Sequence, residues 1–312
     1  MKALVTGGSG FLGHYLVKEL LKRDIETVVL DTVDPDSFFL EGCTPPGGIR
    51  CRYIQGDIMD PVVLENALKG CDLMFHTAAI ADLDEARRTP IRTMEVNVMG
   101  TARCLEAARK EGVSRFLFAS SIYTAGRRGS FYRASKQAGE SLCKIFEEEF
   151  GLPYTILRYG SLYGRESNQW NFIYGVCRAL LTTGEFTYVS SPDSEREYIH
   201  IADAARETVR IALDPGFVNK AVLITGHQRM KVRELFAMIQ EILGREITIH
   251  YVPQQQRTHY VMTPYSFESD IPVRINLASY VDISEGILDC LHEVQKELGR
   301  ETGSIQESSP GP

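Results

Sequence analysis

Val5-Thr6-Gly7-Gly8-Ser9-Gly10-Phe11-Leu12-Gly13 follows the apolar run Ala3-Leu4-Val5 and leads directly into a segment, Tyr15 to Leu21, with helical periodicity. Glycines three residues apart at such a strand-to-helix junction answer a demand for close approach. Gly7 permits a tight turn, Gly10 lets a pyrophosphate lie against the N–H groups of the first helical turn, including those of Phe11 and Leu12, and Gly13 lets helix and strand pack together. The motif alone is weak. Strand before and helix after make it a dinucleotide-binding fingerprint.

Outward from this stretch, short apolar runs alternate with helix-period segments. Thr27 to Leu30, Arg52 to Ile54, Asp72 to Phe75, Arg115 to Phe118 and Tyr154 to Leu157 read as further strands, and Thr101 to Lys110 as a helix between two of them. Repeated strand, crossover and strand predicts an α/β fold with a doubly wound parallel sheet. Beyond Gly164 the alternation becomes irregular. The expected division is a nucleotide lobe of residues 1–164 plus about 196–215, which includes a returning helix at Ala202 to Leu213. A substrate lobe then comprises about 165–195 and 216–297, with a disordered polar tail over 298–312. Val232 to Leu243 followed by Gly244 reads as an amphipathic helix with a glycine stop. Asp34 to Gly48 reads as a surface loop. The aromatic stretch His259 to Phe267 suits core packing better than a ligand pocket.

Of the 312 residues 44% are hydrophobic and 24% charged, as in ordinary soluble domains. Thirty-four Lys and Arg against 41 Asp and Glu leave a net charge of -7, which argues against nucleic-acid or anionic-membrane partners. The seven cysteines are scattered without a Cys-x-x-Cys pair, and no His is spaced for zinc, so reduced thiols, a cytoplasmic location and no metal are expected. No apolar run of about 18 residues is present to span a membrane.

Asp31 ends the second strand, 18 residues after Gly13, where a carboxylate accepts hydrogen bonds from the adenosine ribose and repels a 2′-phosphate. NAD(H) is therefore expected over NADP(H). Tyr132 and Lys136, four apart, share one helix face. A Lys ammonium beside a phenol lowers its pKa from about 10 toward neutrality and makes it a general base for carbinol oxidation or an acid for reduction.

With these pieces in place the chain resembles the extended short-chain dehydrogenase/reductase superfamily, in its NAD-dependent sugar epimerase/dehydratase branch. The resemblance covers about residues 1–297 and is carried by Thr6 to Gly13, Gly56-Asp57-Ile58, His76-Thr77-Ala78-Ala79, Asn97 to Thr101, Phe118 to Ser121, Tyr132 to Lys136, Leu157 to Gly164 and Arg196 to Asp203. It implies a Rossmann-type domain binding NAD. Asp57 and Ile58 would hold the adenine, Ala78 and Ala79 would lie over the cofactor, and Asn97 joins the cofactor site. Lys136 would also bind the nicotinamide ribose, beside Tyr159. Ser121 takes the position that polarises the substrate hydroxyl, with Ser120 the alternative. Arg196 and Tyr198 match positions that contact a nucleoside diphosphate, and Ser161 stands where the family has Asn. A homodimer is implied by resemblance alone.

Three departures shape the functional expectation. Ser121 and Tyr132 are only 11 positions apart, where the family has a longer loop, so the sugar site is expected to be more open. Gly160 and Ser161 replace Phe and Asn, leaving more room by the sugar or diphosphate. Ile122-Tyr123 stands where 4,6-dehydratases carry Asp-Glu, which disfavours that elimination. The expected activity is a nucleotide-sugar 4-epimerisation through a keto intermediate. A nucleotide-sugar 4-ketoreductase or a free-sugar or uronate dehydrogenase is the alternative. A non-catalytic NAD-sensing protein is disfavoured by the intact Ser121, Tyr132 and Lys136.

Overall fold

The computed structural model describes residues 1–33, 51–126, 128–167, 171–227, 229–252 and 273–307, with 301–307 as backbone alone. The whole Asp34 to Gly48 loop with Cys43, the aromatic stretch at 259–267 and residues 308–312 lie outside the described residues.

The first half contains β1 (Lys2–Thr6), α1 (Phe11–Lys22), β2 (Glu26–Asp31), β3 (Cys51–Gln55), α2 (Pro61–Leu68), β4 (Leu73–His76), α3 (Leu83–Arg88), α4 (Pro90–Met94) and a π-helical turn (Glu95–Met99). Then come α5 (Gly100–Lys110), β5 (Arg115–Ser121), a 3₁₀ turn (Ile122–Ala125), α6 (Ser130–Phe150) and β6 (Tyr154–Tyr159). The remainder is β7 (Ser161–Tyr163), α7 (Phe172–Thr182), β8 (Glu185–Val189), β9 (Glu195–His200), α8 (Ile201–Leu213), β10 (Lys220–Ile224), β11 (Arg229–Lys231), α9 (Val232–Leu243), β12 (Thr248–Val252), β13 (Val273–Arg274) and α10 (Ile283–Glu307).

Eight strands form one parallel sheet in the order β13-β10-β6-β5-β4-β1-β2-β3. β5 and β6 are buried along their whole length, which explains why they read as continuous apolar runs. Alternate strand residues face opposite layers. Ala3, Val5, Leu117 and Leu157 pack against Leu16, Val17 and Leu20 of α1 and Ala205 and Val209 of α8, whereas Leu4, Met74, Phe116 and Phe118 pack against α2, α5 and α6. Buried Arg115 fastens the end of α8 by donating from Nη1 to the carbonyls of Ile211, Ala212 and Asp214 at 2.9–3.1 Å. The strand order reverses between β1 and β4, so the crevice for a ligand opens at the C-terminal ends of these two strands.

A second core unites Tyr163, Ile173, Val176, Leu180, Tyr188, Leu235, Phe236, Ile287 and Leu291. The two lobes divide differently from the sequence expectation. β10 and β13, expected in the substrate lobe, extend the large sheet, because Val222 and Ile224 are core residues against β6. β9, expected in the nucleotide lobe, lies between β7 and β11 in a separate three-stranded sheet. α8 does return to the nucleotide lobe, against α1. α9 ends at Gly244 with φ +61°, as its sequence predicts. α10 continues to Glu307, through residues the sequence assigns to a tail, because Ile287, Leu291 and Val294 anchor it in the second core. Among the described residues no helix is long and apolar enough to cross a membrane.

Candidate active site

The glycine loop is built as its sequence demands. Gly7 has φ +69°, and a Cβ there would lie 2.7 Å from the backbone nitrogen of Ala78; one on Gly13 would lie 2.1 Å from the Gly7 carbonyl oxygen. α1 starts at Gly10 with no side-chain cap, so the N–H groups of Phe11, Leu12 and Gly13 keep their capacity for an anion. Asp31 reaches back to the loop, accepting from Ser9 N at 3.0 Å and from Val33 N at 3.4 Å. An uncapped helix start, a bare backbone cradle and a carboxylate at the end of β2 fit a dinucleotide.

Asp57 is partly exposed, accepts from Met59 N at 2.9 Å and stands 3.7 Å from the Arg92 guanidinium of α4, a neighbour with no signal in the sequence. Ile58 is a core side chain packed against Gly100, which leaves its backbone rather than its side chain to meet a ligand. Ala78 lies against Gly7, at the mouth of the crevice, followed by Ala79.

Asn97 plays a different part from the cofactor contact expected of it. It is 2% exposed, and its amide is spent on Ile80 N (2.8 Å), Ile80 O (2.9 Å) and Ser135 Oγ (2.9 Å). Ser135 in turn donates to the Tyr132 carbonyl at 2.8 Å. Thr101 donates to the Asn97 carbonyl at 2.6 Å, so its oxygen accepts from His76 Nε2 at 3.0 Å, leaving Nδ1 to accept from Thr6 at 2.8 Å. The buried imidazole is thereby held in one neutral tautomer, and burial together with nearby Lys136 pushes its pKa down to about 3. This chain of bonds ties the end of β1 to the helix that carries Tyr132.

Ser121, Tyr132 and Lys136 do come together. Ser121 ends β5; its Oγ accepts from Tyr123 N at 3.3 Å, and its hydroxyl is close enough to the Tyr132 phenol to work against the rise that burial causes there. Lys136 is 4% exposed, donates from Nζ to the Ala119 carbonyl at 2.7 Å, and lies 5.8 Å from the centre of the Tyr132 ring. α6 approaches β5 this closely because Gly139 faces the Phe118 ring, where a Cβ would lie 2.3 Å from Cζ. The phenol is not depressed as Tyr-x-x-x-Lys spacing alone suggests. Burial raises it to about 12 against the lowering effect of the Ser121 hydroxyl, and burial lowers Lys136 to about 8.

Three other expectations change. Ser120 does not face the crevice: its Oγ is bonded to Glu140 on the α6 side of the sheet. Tyr159 is a core residue under α8 with its hydroxyl 2.6 Å from Thr208 Oγ1. Gly160 opens no space. A Cβ there would lie 2.8 Å from the Glu197 carbonyl oxygen, so the glycine lets β9 come close to the end of β6. The short Ser121–Tyr132 connection starts with the 3₁₀ turn Ile122–Ala125, which is clamped to α6 by Gln137, donating to Thr124 O at 2.8 Å, and Arg133 donates to Gly126 O.

Across the crevice, Ser161 of β7 is paired in register with Tyr198 of β9, and both lie on the second-lobe side. Arg196 is nearly buried, donates to the Glu195 carbonyl at 2.9 Å and lies 3.5 Å from the Tyr188 hydroxyl.

Residues 3–224 match the profile of the NAD dependent epimerase/dehydratase family. An uncharacterized UDP-glucose epimerase of Bacillus subtilis is 27% identical over 271 residues, covering 80% of this chain and 85% of its own. A UDP-N-acetyl-alpha-D-glucosaminuronate decarboxylase of Bacillus cytotoxicus is 27% identical over 294 residues, 88% of each chain. The crystal structure of UDP-glucuronic acid 4-epimerase from Bacillus cereus, with UDP-glucuronic acid and NAD, superposes with a TM-score of 0.83 at 22% identity, over 95% of this chain and 100% of that one.

Proposed function

The chain belongs to the NAD dependent epimerase/dehydratase family and is an NAD-dependent enzyme, and from that premise we propose that it epimerises a nucleoside diphosphate sugar at a carbinol carbon, in the manner of a 4-epimerase. The observation that carries this reading is the buried Lys136, held by the Ala119 carbonyl at 2.7 Å and 5.8 Å from the centre of the Tyr132 ring, beside Ser121 at the end of β5.

NAD supplies the acceptor and donor of the hydride. The protein's part is to move one proton and hold the sugar. Tyr132 takes the carbinol proton at its phenolic oxygen and returns it when the keto sugar is reduced on the other face. Ser121 hydrogen-bonds the reacting oxygen. Lys136, as an ammonium, stabilises the phenolate and would donate to the ribose hydroxyls of bound NAD. Asp31 would accept from the adenosine ribose, and the N–H groups of Phe11, Leu12 and Gly13 would receive the pyrophosphate. Ile122 and Tyr123 offer no acidic pair for a 4,6-elimination.

Arg196 is the candidate for the substrate's diphosphate, a local cation in a protein of net charge -7. Related solved structures that hold UDP-glucose or UDP-glucuronic acid support this substrate class. NMR analysis of UDP-hexoses and UDP-hexuronic acids incubated with the enzyme and catalytic NAD tests the reading. The expected result is an equilibrium mixture of two epimers with no net NADH. UDP should raise the Tm of the NAD-loaded protein, and Arg196→Ala should remove most of that shift while sparing the shift from NAD. Stoichiometric NADH from a free sugar, with no UDP-dependent shift, would replace the proposal with a free-sugar dehydrogenase.

A further inference from the structure

Three consecutive residues of β5 meet three successive turns of α6. Ser121 lies beside Tyr132, the Ala119 carbonyl accepts from Lys136 at 2.7 Å, and Ser120 bonds Glu140. Residues 132, 136 and 140 lie on one helix face at four-residue spacing. Glu140 is also the partner of Arg158, which stands opposite Ser120 in the β5–β6 register and donates from Nε to Oε1 at 3.0 Å and from Nη2 to Oε2 at 2.8 Å. Both side chains are under 10% exposed. The proposed chemistry uses neither of them.

A buried two-point ion pair is poor evidence for stability, since an apolar pair of like volume often does as well. Its location gives it another use. Tyr132, Glu140 and Cys143 face Lys136 from α6, His76 from β4, Arg158 from β6 by way of Glu140, and the Phe118 ring from β5. Burial holds the Cys143 thiol protonated, and His76 is neutral. Among these groups Glu140 is the anion.

We propose that Glu140, oriented by Arg158, is a positioning residue for the reaction: it fixes the α6 turn between Ser120 and Tyr132 and supplies the charge that keeps Lys136 an ammonium beneath the phenol. The inference rests on the reading that Lys136 and Tyr132 carry the chemistry. Burial lowers the Lys136 pKa to about 8, and Glu140 opposes that fall, the sign the proposal requires.

The test follows the pH titration of the Lys136 Cε signal in lysine-labelled full-length protein, assigned by its loss in Lys136→Met. Glu140→Gln should lower the midpoint by about one pH unit, because the anion is gone and the Arg158 cation is left beside the ammonium. Arg158→Met should raise it, because Glu140 loses its competing partner. A loosened, better hydrated site would raise both. In Glu140→Gln/Arg158→Met neither charge is stranded, so this variant should fold where a single one does not, and its midpoint should still lie below wild type. A wild-type or raised midpoint in Glu140→Gln or in the double variant would overturn the proposal. Full turnover in Tyr132→Phe would remove the catalytic reading and leave the Lys136 titration to be judged by itself.

Discussion

The Ser121 hydroxyl lies close enough to the phenol of Tyr132 to oppose the rise that burial causes there, although the two are only 11 positions apart. The 3₁₀ turn Ile122–Ala125 that follows Ser121 is held to α6 by Gln137, with Arg133 donating to Gly126 O. A shortened loop therefore does not separate the two hydroxyls. Ser121 accepts from Tyr123 N, and its hydroxyl lowers the Tyr132 pKa relative to burial alone. The pair is thus set to stabilise the phenolate, the form the proposed reaction needs as base.

Tyr132→Phe keeps the ring and its edge contact with Tyr123 but removes the ionisable oxygen. Turnover should fall by about 10² to 10⁴, the range for loss of a general acid/base, with NAD affinity and Tm close to wild type. Steady-state kinetics beside calorimetric NAD titration checks both halves.

Asp31→Ala removes the carboxylate at the end of β2 and its bond to Ser9 N. NAD(H) should bind more weakly, and discrimination against NADP(H) should relax as a repulsion is lifted. Titration with both cofactors decides it; unchanged affinity for both would return Asp31 to a loop-bracing role.

Gly160→Ala separates close packing from spare room. A Cβ 2.8 Å from the Glu197 carbonyl forces β9 away from β6, so Tm should drop, with a cost of about 1–3 kcal/mol typical of overpacking. Chemical denaturation measures it, and an unchanged midpoint would mean that the strands yield freely.

His76 is neutral when folded, with its pKa pushed down to about 3, whereas in the unfolded chain it titrates near 6.5. Between these values the unfolded state binds more protons, so stability rises with pH in that window, by up to about 1.4 kcal/mol per pH unit from this residue. Below pH 6.5 the protein should lose stability progressively, and His76→Gln should flatten the slope. Denaturant midpoints at a series of pH values test this.

The Asn97 and His76 network shows why some functional residues were not legible as such. Both belong to recognisable short motifs, yet their partners Ile80, Ser135, Thr6 and Thr101 are brought to them only by the packing of β4, α5 and α6. Glu140 had no local signature. Its partner Arg158 lies in a strand that joins β5 only when the parallel sheet closes.

The alternation of apolar runs and the Gly7, Gly10 and Gly13 spacing were enough to determine a doubly wound sheet and its dinucleotide crevice, because strand burial, helix period and backbone clearance are local properties of the chain. Tyr132 and Lys136 were legible for the same reason, since four-residue spacing places two side chains on one helix face without reference to anything else. The tertiary structure alone decided what each group faces. It turned Tyr159 into the core under α8, gave Ser120 to Glu140, made Gly160 a packing necessity and raised the Tyr132 phenol where spacing suggested it would fall. Direction along a strand, desolvation and the approach of β9 to β6 depend on elements distant in sequence, and these are fixed only when the two lobes pack.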